Sequence, residues 1–487
     1  MSESELKNKT TKGLFWGGMN NGVQQLLNLA FGIFLARLLS PGDYGMVGML
    51  LIFSNIAGSL QEAGFISALI NRKEDRHEDY NSVFWFSIVA SLCLYSILFF
   101  CAPLIARFFH TPELARLARY AFLGFFISSF GVAQSAYMAK HLMVKQRAVA
   151  YIIAILCSGT VGVIMAANGC AYWGIATQSI VYTLVGTSIC WFISPWRPSL
   201  KITFRPVREM FPFSCRMLVT NVFNHINNNV FSIILGRFYT RNEVGDYTQA
   251  NKWNSMGYSF IGGMIASVSQ PVLASVNEDG ARQLRIFRKM VRFTAFVSFP
   301  LMLGLSLVAP EFITIAITDK WLSSAGILRI LCISGAFIPV CNLFSSLLVS
   351  KGKSGIYMWS TVILGILQLI VMVSIHKLGI RTMVVVYSAI NILWLLVWYW
   401  FVRKETGYRL WHFAMDILPY LTIALAVMAA TYLLTKPIAN IYCLLAAKTA
   451  IAAVLYVLIM RLSNAVTFKE AVGFFLPRIH SNKMRND

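Results

Sequence analysis

Asn21, Gln24, Gln25 and Asn28 lie in an otherwise apolar stretch, 14–39. Two hundred residues later the same spacing returns as Asn221, Asn224, His225 and Asn228, in the stretch 217–238. Positions i, i+3, i+4 and i+7 form one face of an α-helix. Amides donate and accept hydrogen bonds, so a doubled stripe of this kind can hold hydroxyl-rich ligands or ordered water. In an apolar segment such a stripe points to a cavity rather than to acyl chains. Its competing role is hydrogen bonding between packed helices.

A third polar face follows in 247–273: Thr248, Asn251, Lys252, Ser255 and Ser259. Lys252 lies ~7–8 Å in from the end of that stretch at 1.5 Å per residue. There it either neutralises a phosphate or extends its stem to the interface. The stretch 44–70 is less polar on the matching face, with Asn55 between Gly48 and Ser59. Glu62 is read as the one carboxylate well inside an apolar run. It either carries a proton or cation or pairs with a loop Lys or Arg. His225 is a hydrogen-bonding group or a proton sensor. Arg37 lies nine residues beyond Asn28, about 180° round a straight helix, so it and Arg237 are read as end-of-helix anchors.

No phosphate loop, metal triad or nucleophile elbow occurs, so no catalytic residue, metal ligand or cofactor is expected. The nine cysteines show no metal spacing.

The elements that must position these side chains follow from composition. The 487-residue chain is 57% hydrophobic and only 13% charged, with mean hydropathy +0.64. That balance describes a polytopic membrane protein rather than a soluble one. Fourteen apolar stretches run from 14–39 to 439–460. The net charge of +22 suits loops facing an anionic leaflet, and no nucleic-acid partner is expected. With both termini in the cytoplasm, most of the 42 Lys and Arg fall on the inner side, as the positive-inside rule requires.

Residues 36–45, ARLLSPGDYG, and 236–245, GRFYTRNEVG, match at the same offset, including Arg37/Arg237 and Gly45/Gly245. The expected fold is therefore all-α, with about 14 transmembrane helices. Two six-helix lobes, 1–200 and 201–405, are related by a pseudo-two-fold axis along the membrane normal. Two further spans occupy 406–460, and 461–487 forms a cytoplasmic tail in which 467–475 can lie on the membrane as an amphipathic helix.

The segments LARLLSPGDYG, GFISALINRKE and NNNVFSIILGRF…VGDYTQANK resemble the polysaccharide transporter branch of the multidrug/oligosaccharidyl-lipid/polysaccharide (MOP) exporter superfamily. The resemblance is greatest to the colanic-acid exporter-like lipopolysaccharide biosynthesis proteins. It implies a bacterial inner-membrane flippase that moves an oligosaccharide on an undecaprenyl diphosphate carrier by alternating access. It also implies coupling to an H+ or Na+ gradient or to the membrane potential. Membrane lipids and a glycan polymerase or other assembly proteins are the implied partners. Lys252 falls where relatives often have Lys, Arg or Gln. The chain departs from the pattern at Asn227, Asn228 and Asn229, where relatives often carry Asp. The runner-up is an ion-coupled multidrug exporter of the same superfamily. A membrane glycan polymerase or ligase is a third reading, but every outer loop is short for one.

Overall fold

The computed structural model describes residues 22–62, 65–72, 76–201, 203–276, 279–463 and 468. Asn21, both ends of the chain and a few side chains, those of Glu62 and Asn228 among them, lie outside the description. So does the expected surface helix 467–475, apart from Phe468.

The described residues form helices throughout. In the first unit, Met1–Gly245, these are α1 (Gly22–Leu38), α2 (Pro41–Glu62), α3 (Phe65–Asn71), α4 (His77–Phe108), α5 (Leu114–Ala121), α6 (Leu123–Ser129), α7 (Val132–Lys140), α8 (Val144–Ala167), α9 (Tyr172–Ile193) and α10 (Arg205–Phe238). Helix α11 (Arg241–Ser275) crosses the unit boundary in its first turn. The second unit, Asp246–Asp487, continues with α12 (Gly280–Ile317), α13 (Leu322–Gly335), α14 (Ile338–Ser350), α15 (Ser354–Ile375), α16 (Ile380–Thr406), α17 (Leu410–Thr435) and α18 (Ile441–Leu462).

Each of the fourteen apolar stretches has a helical counterpart. Ten helices among the described residues are long and apolar enough to span a membrane, or eleven if the bent pair Leu114–Ser129 and Val132–Lys140 is one span. The shortfall from fourteen lies in α1, α10 and α11. Those are the helices with polar stripes: α1 is described only from Gly22, and the apolar part of α10 is Asn229–Phe238.

The unit boundary at Gly245 falls past the expected lobe boundary at 200/201. The reason is the packing of α10, which lies against α2, α3 and α4. Asn81 near the start of α4 holds the preceding loop: its Nδ2 donates to the Lys201 carbonyl at 2.7 Å, and its Oδ1 accepts from the Ser199 amide at 2.8 Å. Trp85 adds a bond to the Ser199 carbonyl at 2.9 Å. Phe65, Tyr80, Phe84, Trp196 and Met210 close an apolar cluster over this junction. Helix α10 is thereby seated on the first repeat before it begins.

In the second unit the 38-residue α12 is the central element, packed against α13, α14, α17 and α18. Helices α4 and α12 follow one plan. Each contains a proline near its end, Pro103 and Pro310, and each is followed by a non-glycine residue of positive φ, His110 (52°) and Thr318 (83°).

Candidate functional site

The repeat becomes physical where its two copies meet. Ser40 caps α2: its Oγ accepts from the Asp43 amide at 3.3 Å, while the Asp43 carboxylate accepts from the Ser40 amide at 2.9 Å and hydroxyl at 2.6 Å. Thr240 and Glu243 do the same for α11, at 3.4, 3.0 and 2.8 Å. Both are capping boxes, in which the cap and the third helical residue satisfy each other's free backbone donors. They stand 200 residues apart, at the offset of the repeat. The S-x-x-D and T-x-x-E signatures lay within the quoted segments and were the signal that could have revealed them.

Just inside these caps the helix starts cross. A Cβ on Gly45 would run into the Arg241 carbonyl, and one on Gly245 into the Pro41 carbonyl. Each would also lie close to the other glycine's amide nitrogen, at 3.2 and 3.1 Å. The contact is reciprocal, as a local two-fold axis requires. Backbones this close leave room only for glycine.

Polar contacts fasten α10 at both ends. At its end, the Arg237 Nη1 donates to the Phe108 carbonyl at 2.6 Å and lies 2.8 Å from Nε2 and 3.0 Å from Nδ1 of His110. Arg241 pairs with Glu113 at 3.3 Å. A cavity of about 510 Å³ opens here, lined among others by Met49, His110, Glu113, Arg237 and Arg241. Arg237 is thus an end-of-helix anchor, as its phase predicts, and Arg37 is exposed. At the start of α10, Arg72 joins Asp79 at 3.0 Å and Glu209 at 2.7 Å. The Arg72 hydrogen bond holds the Glu209 carboxyl below the ordinary carboxylate range.

Along α1, Gln24 and Gln25 are half-buried and Asn28 is exposed. The exposed apolar side chains of this helix are Leu26, Phe34 and Leu38. At 100° per residue the three amides centre roughly 140° away from them. Further along the amide face, Gly32, Leu35 and Leu39 are buried. The stripe therefore occupies the open part of an inward-turned face, not the apolar exposed side.

On α2, Asn55 is half-buried. On α10, Asn221, Asn224 and His225 are half-buried and Asn227 is buried, whereas the Asn228 side chain lies outside the described residues. Asn229 spends a donor on the His225 carbonyl of its own helix, at 2.9 Å.

In the second unit Asn251 and Lys252 are half-buried. No hydrogen bond or ion pair joins Lys252 to another described residue. Its neighbours on α11 are more polar than the stripe predicted. Gln249 is fully buried with neither side-chain polar atom bonded, and the Nε1 of Trp253 and Oδ1 of Asn254 are buried and unbonded among the described residues. Asp246, also buried, accepts from Ser324 at 2.9 Å. Lys252 thus lies on a helix that is polar on more than one side.

Glu62 is not the one carboxylate inside an apolar stretch, and its own side chain falls outside the described residues. Asp416 on α17 is 0% exposed and takes four hydrogen bonds: Arg288 Nε (2.7 Å) and Nη2 (3.1 Å), Arg292 Nε (2.5 Å) and the Tyr408 hydroxyl (2.7 Å). Glu311 on α12 and Lys448 on α18 are also buried and pair at 2.6 Å. Arg288 and Arg292 lie in an uninterrupted α12, facing the Asp416 carboxylate of α17.

A family profile described as "polysaccharide biosynthesis protein" matches residues 34–326. The chain is 24% identical over 355 residues to the lipopolysaccharide biosynthesis protein WzxC of Escherichia coli K12, covering 72% of this chain and 71% of the relative. Among solved structures it is similar to the lipid II flippase MurJ in an inward closed conformation. The TM-score is 0.76 at 14% identity, over 95% of this chain and 99% of that one. It is also similar to an inward-facing multidrug resistance MATE family transporter of the MOP superfamily, with TM-score 0.64 and 17% identity over 79% and 94% of the two chains. At such identities the structural likenesses speak for the fold.

Proposed function

The chain belongs to the polysaccharide biosynthesis protein family, and on that footing we propose that it flips or exports an undecaprenyl-diphosphate-linked oligosaccharide across the bacterial inner membrane. The observation that carries the reading is the extent of the family match: residues 34–326 include both capping boxes, the polar part of α10 and Lys252. The unit moved is a lipopolysaccharide, capsule or exopolysaccharide precursor. Both termini are cytoplasmic, and the protein works as a transporter without catalytic chemistry.

The half-buried amides of α1 and α10 suit the many hydroxyls of a sugar chain. We assign Asn21, Gln24, Gln25, Asn28, Asn55, Asn221, Asn224, His225, Asn228 and Asn251 to the glycan path and Lys252 to the diphosphate. Alternating access would require the contacts at the two ends of α10 to open in turn. A glycan polymerase receives the unit after transfer.

A drug-cation exporter of the same fold needs carboxylates free to meet the cation. Asp416 is held by two guanidiniums, which favours the glycan reading. Deletion in the host should abolish the surface glycan and leave lipid-linked units on the cytoplasmic side. Lys252→Ala should do so at unchanged membrane abundance, and normal surface glycan in that strain would overturn the site assignment.

A further inference from the structure

Two buried carboxylates of the second unit differ sharply in how well they are satisfied. Asp416 receives donors from two guanidiniums and a phenol. Glu311 receives one good hydrogen bond: Oε1 takes the Lys448 ammonium at 2.6 Å, while Oε2 is buried with no partner among the described residues. The ammonium fares little better. Its remaining contacts are the Leu307 carbonyl at 3.5 Å and the Tyr432 ring, with the centroid at 6.0 Å. No other charged side chain among the described residues pairs with either group. A buried ion pair is well settled when further hydrogen bonds satisfy the remaining lone pairs and protons, and this one lacks them.

The surroundings are also made to yield. Glu311 follows Pro310 in the interior of α12. Proline has no amide to give the carbonyl four residues earlier, so the helix is weakened next to the carboxylate, as it is at Pro300. Lys448 sits on α18, the last long helix among the described residues.

We propose that Glu311 takes up and releases a proton as the transporter cycles, with Lys448 as its counter-charge. The inference rests on the reading of the chain as a cycling transporter and assigns its coupling ion and coupling site. In uptake, a proton from water bonds to the Glu311 carboxylate and makes the neutral acid. The salt bridge to Lys448 ends, and the ammonium keeps its charge against the Leu307 carbonyl and the Tyr432 ring. Release reverses each step, and no electron moves. Protonation loosens the grip of α18 on the Pro310 segment of α12, so the state of one oxygen sets the freedom of a long helix. Asp416 is unsuited to this role, because both its oxygens are already held by two guanidiniums and a phenol.

The test uses full-length protein in lipid nanodiscs and infrared difference spectra between mildly alkaline and mildly acid buffer. The wild type should gain the stretch of a protonated carboxylic acid, and Glu311→Gln should lose that band. Lys448→Met should change the pH at which the band appears, because it removes the ammonium bonded to the carboxylate. A purely structural tie would produce no such band. The double variant Glu311→Gln/Lys448→Met, neutral at both positions, serves should the single variants fold poorly. Absence of the band in wild type, or its persistence in Glu311→Gln and in the double variant, overturns the proposal. In the host, Glu311→Gln should cut surface glycan about tenfold at unchanged abundance, and wild-type export would overturn the coupling role. The spectra need no substrate, so the proton site and the glycan reading can fail independently.

Discussion

Gly45 and Gly245 approach so closely that a methyl group on either would strike a backbone carbonyl of the other repeat copy, Arg241 in one case and Pro41 in the other. Gly45→Ala or Gly245→Ala must push two helix starts apart, at a cost of about 1–3 kcal/mol. Thermal unfolding in detergent should show both losses. The double variant should lose less than their sum, because one parting of the backbones accommodates both methyl groups.

The twin capping boxes give matched effects. Ser40→Ala and Thr240→Ala each remove a cap and should each cost ~1 kcal/mol. Midpoints from the same unfolding assay check this, and equal losses are expected because the two boxes have nearly equal geometry.

The start of α10 should resist mild acid. Glu209 is held below the ordinary carboxylate range by Arg72. Its contribution is therefore complete above the usual carboxylate value of about 4.3 and is lost only as pH falls through the lower, folded value. Between about pH 8 and 5 that end stays closed. Hydrogen exchange, corrected for its intrinsic pH dependence, should therefore stay slow in peptides around 205–211 across that window, and Glu209→Gln should accelerate it there.

Asp416→Asn leaves Arg288 and Arg292 without their anionic partner. Loss of one member of a buried ionic cluster costs about 3–5 kcal/mol. The midpoint of chemical unfolding measures it, and a loss as small as that of a surface pair would show that the cluster is hydrated.

Much of this architecture was legible in the sequence. Hydropathy located a helix for every apolar stretch, and the Asn, Arg and Gly held in register at an offset of 200 located the repeat. The Asn28 phase kept Arg237 off the stripe and put it at a helix end, where it meets His110. What stayed hidden depended on contact across long separations. Glu311 and Lys448 are 137 residues apart, so no local spacing joins them. Arg288 and Arg292 carry charge where a span would ordinarily end, whereas a buried Asp416 allows the helix to continue through them. The seating of α10 on α4 depends on Asn81 and Trp85 meeting a loop more than 100 residues away.

The last two long helices are held by charge as well as by apolar contact. Lipid offers an apolar helix face as good a partner as another helix does, so apolar contact alone would leave α17 and α18 replaceable. They are instead joined to α12 through Asp416 and Lys448. A chain ending after Thr406 would leave Arg288, Arg292 and Glu311 without these counter-charges. Each ion pair thus works as a latch that ties a late helix to the long central one.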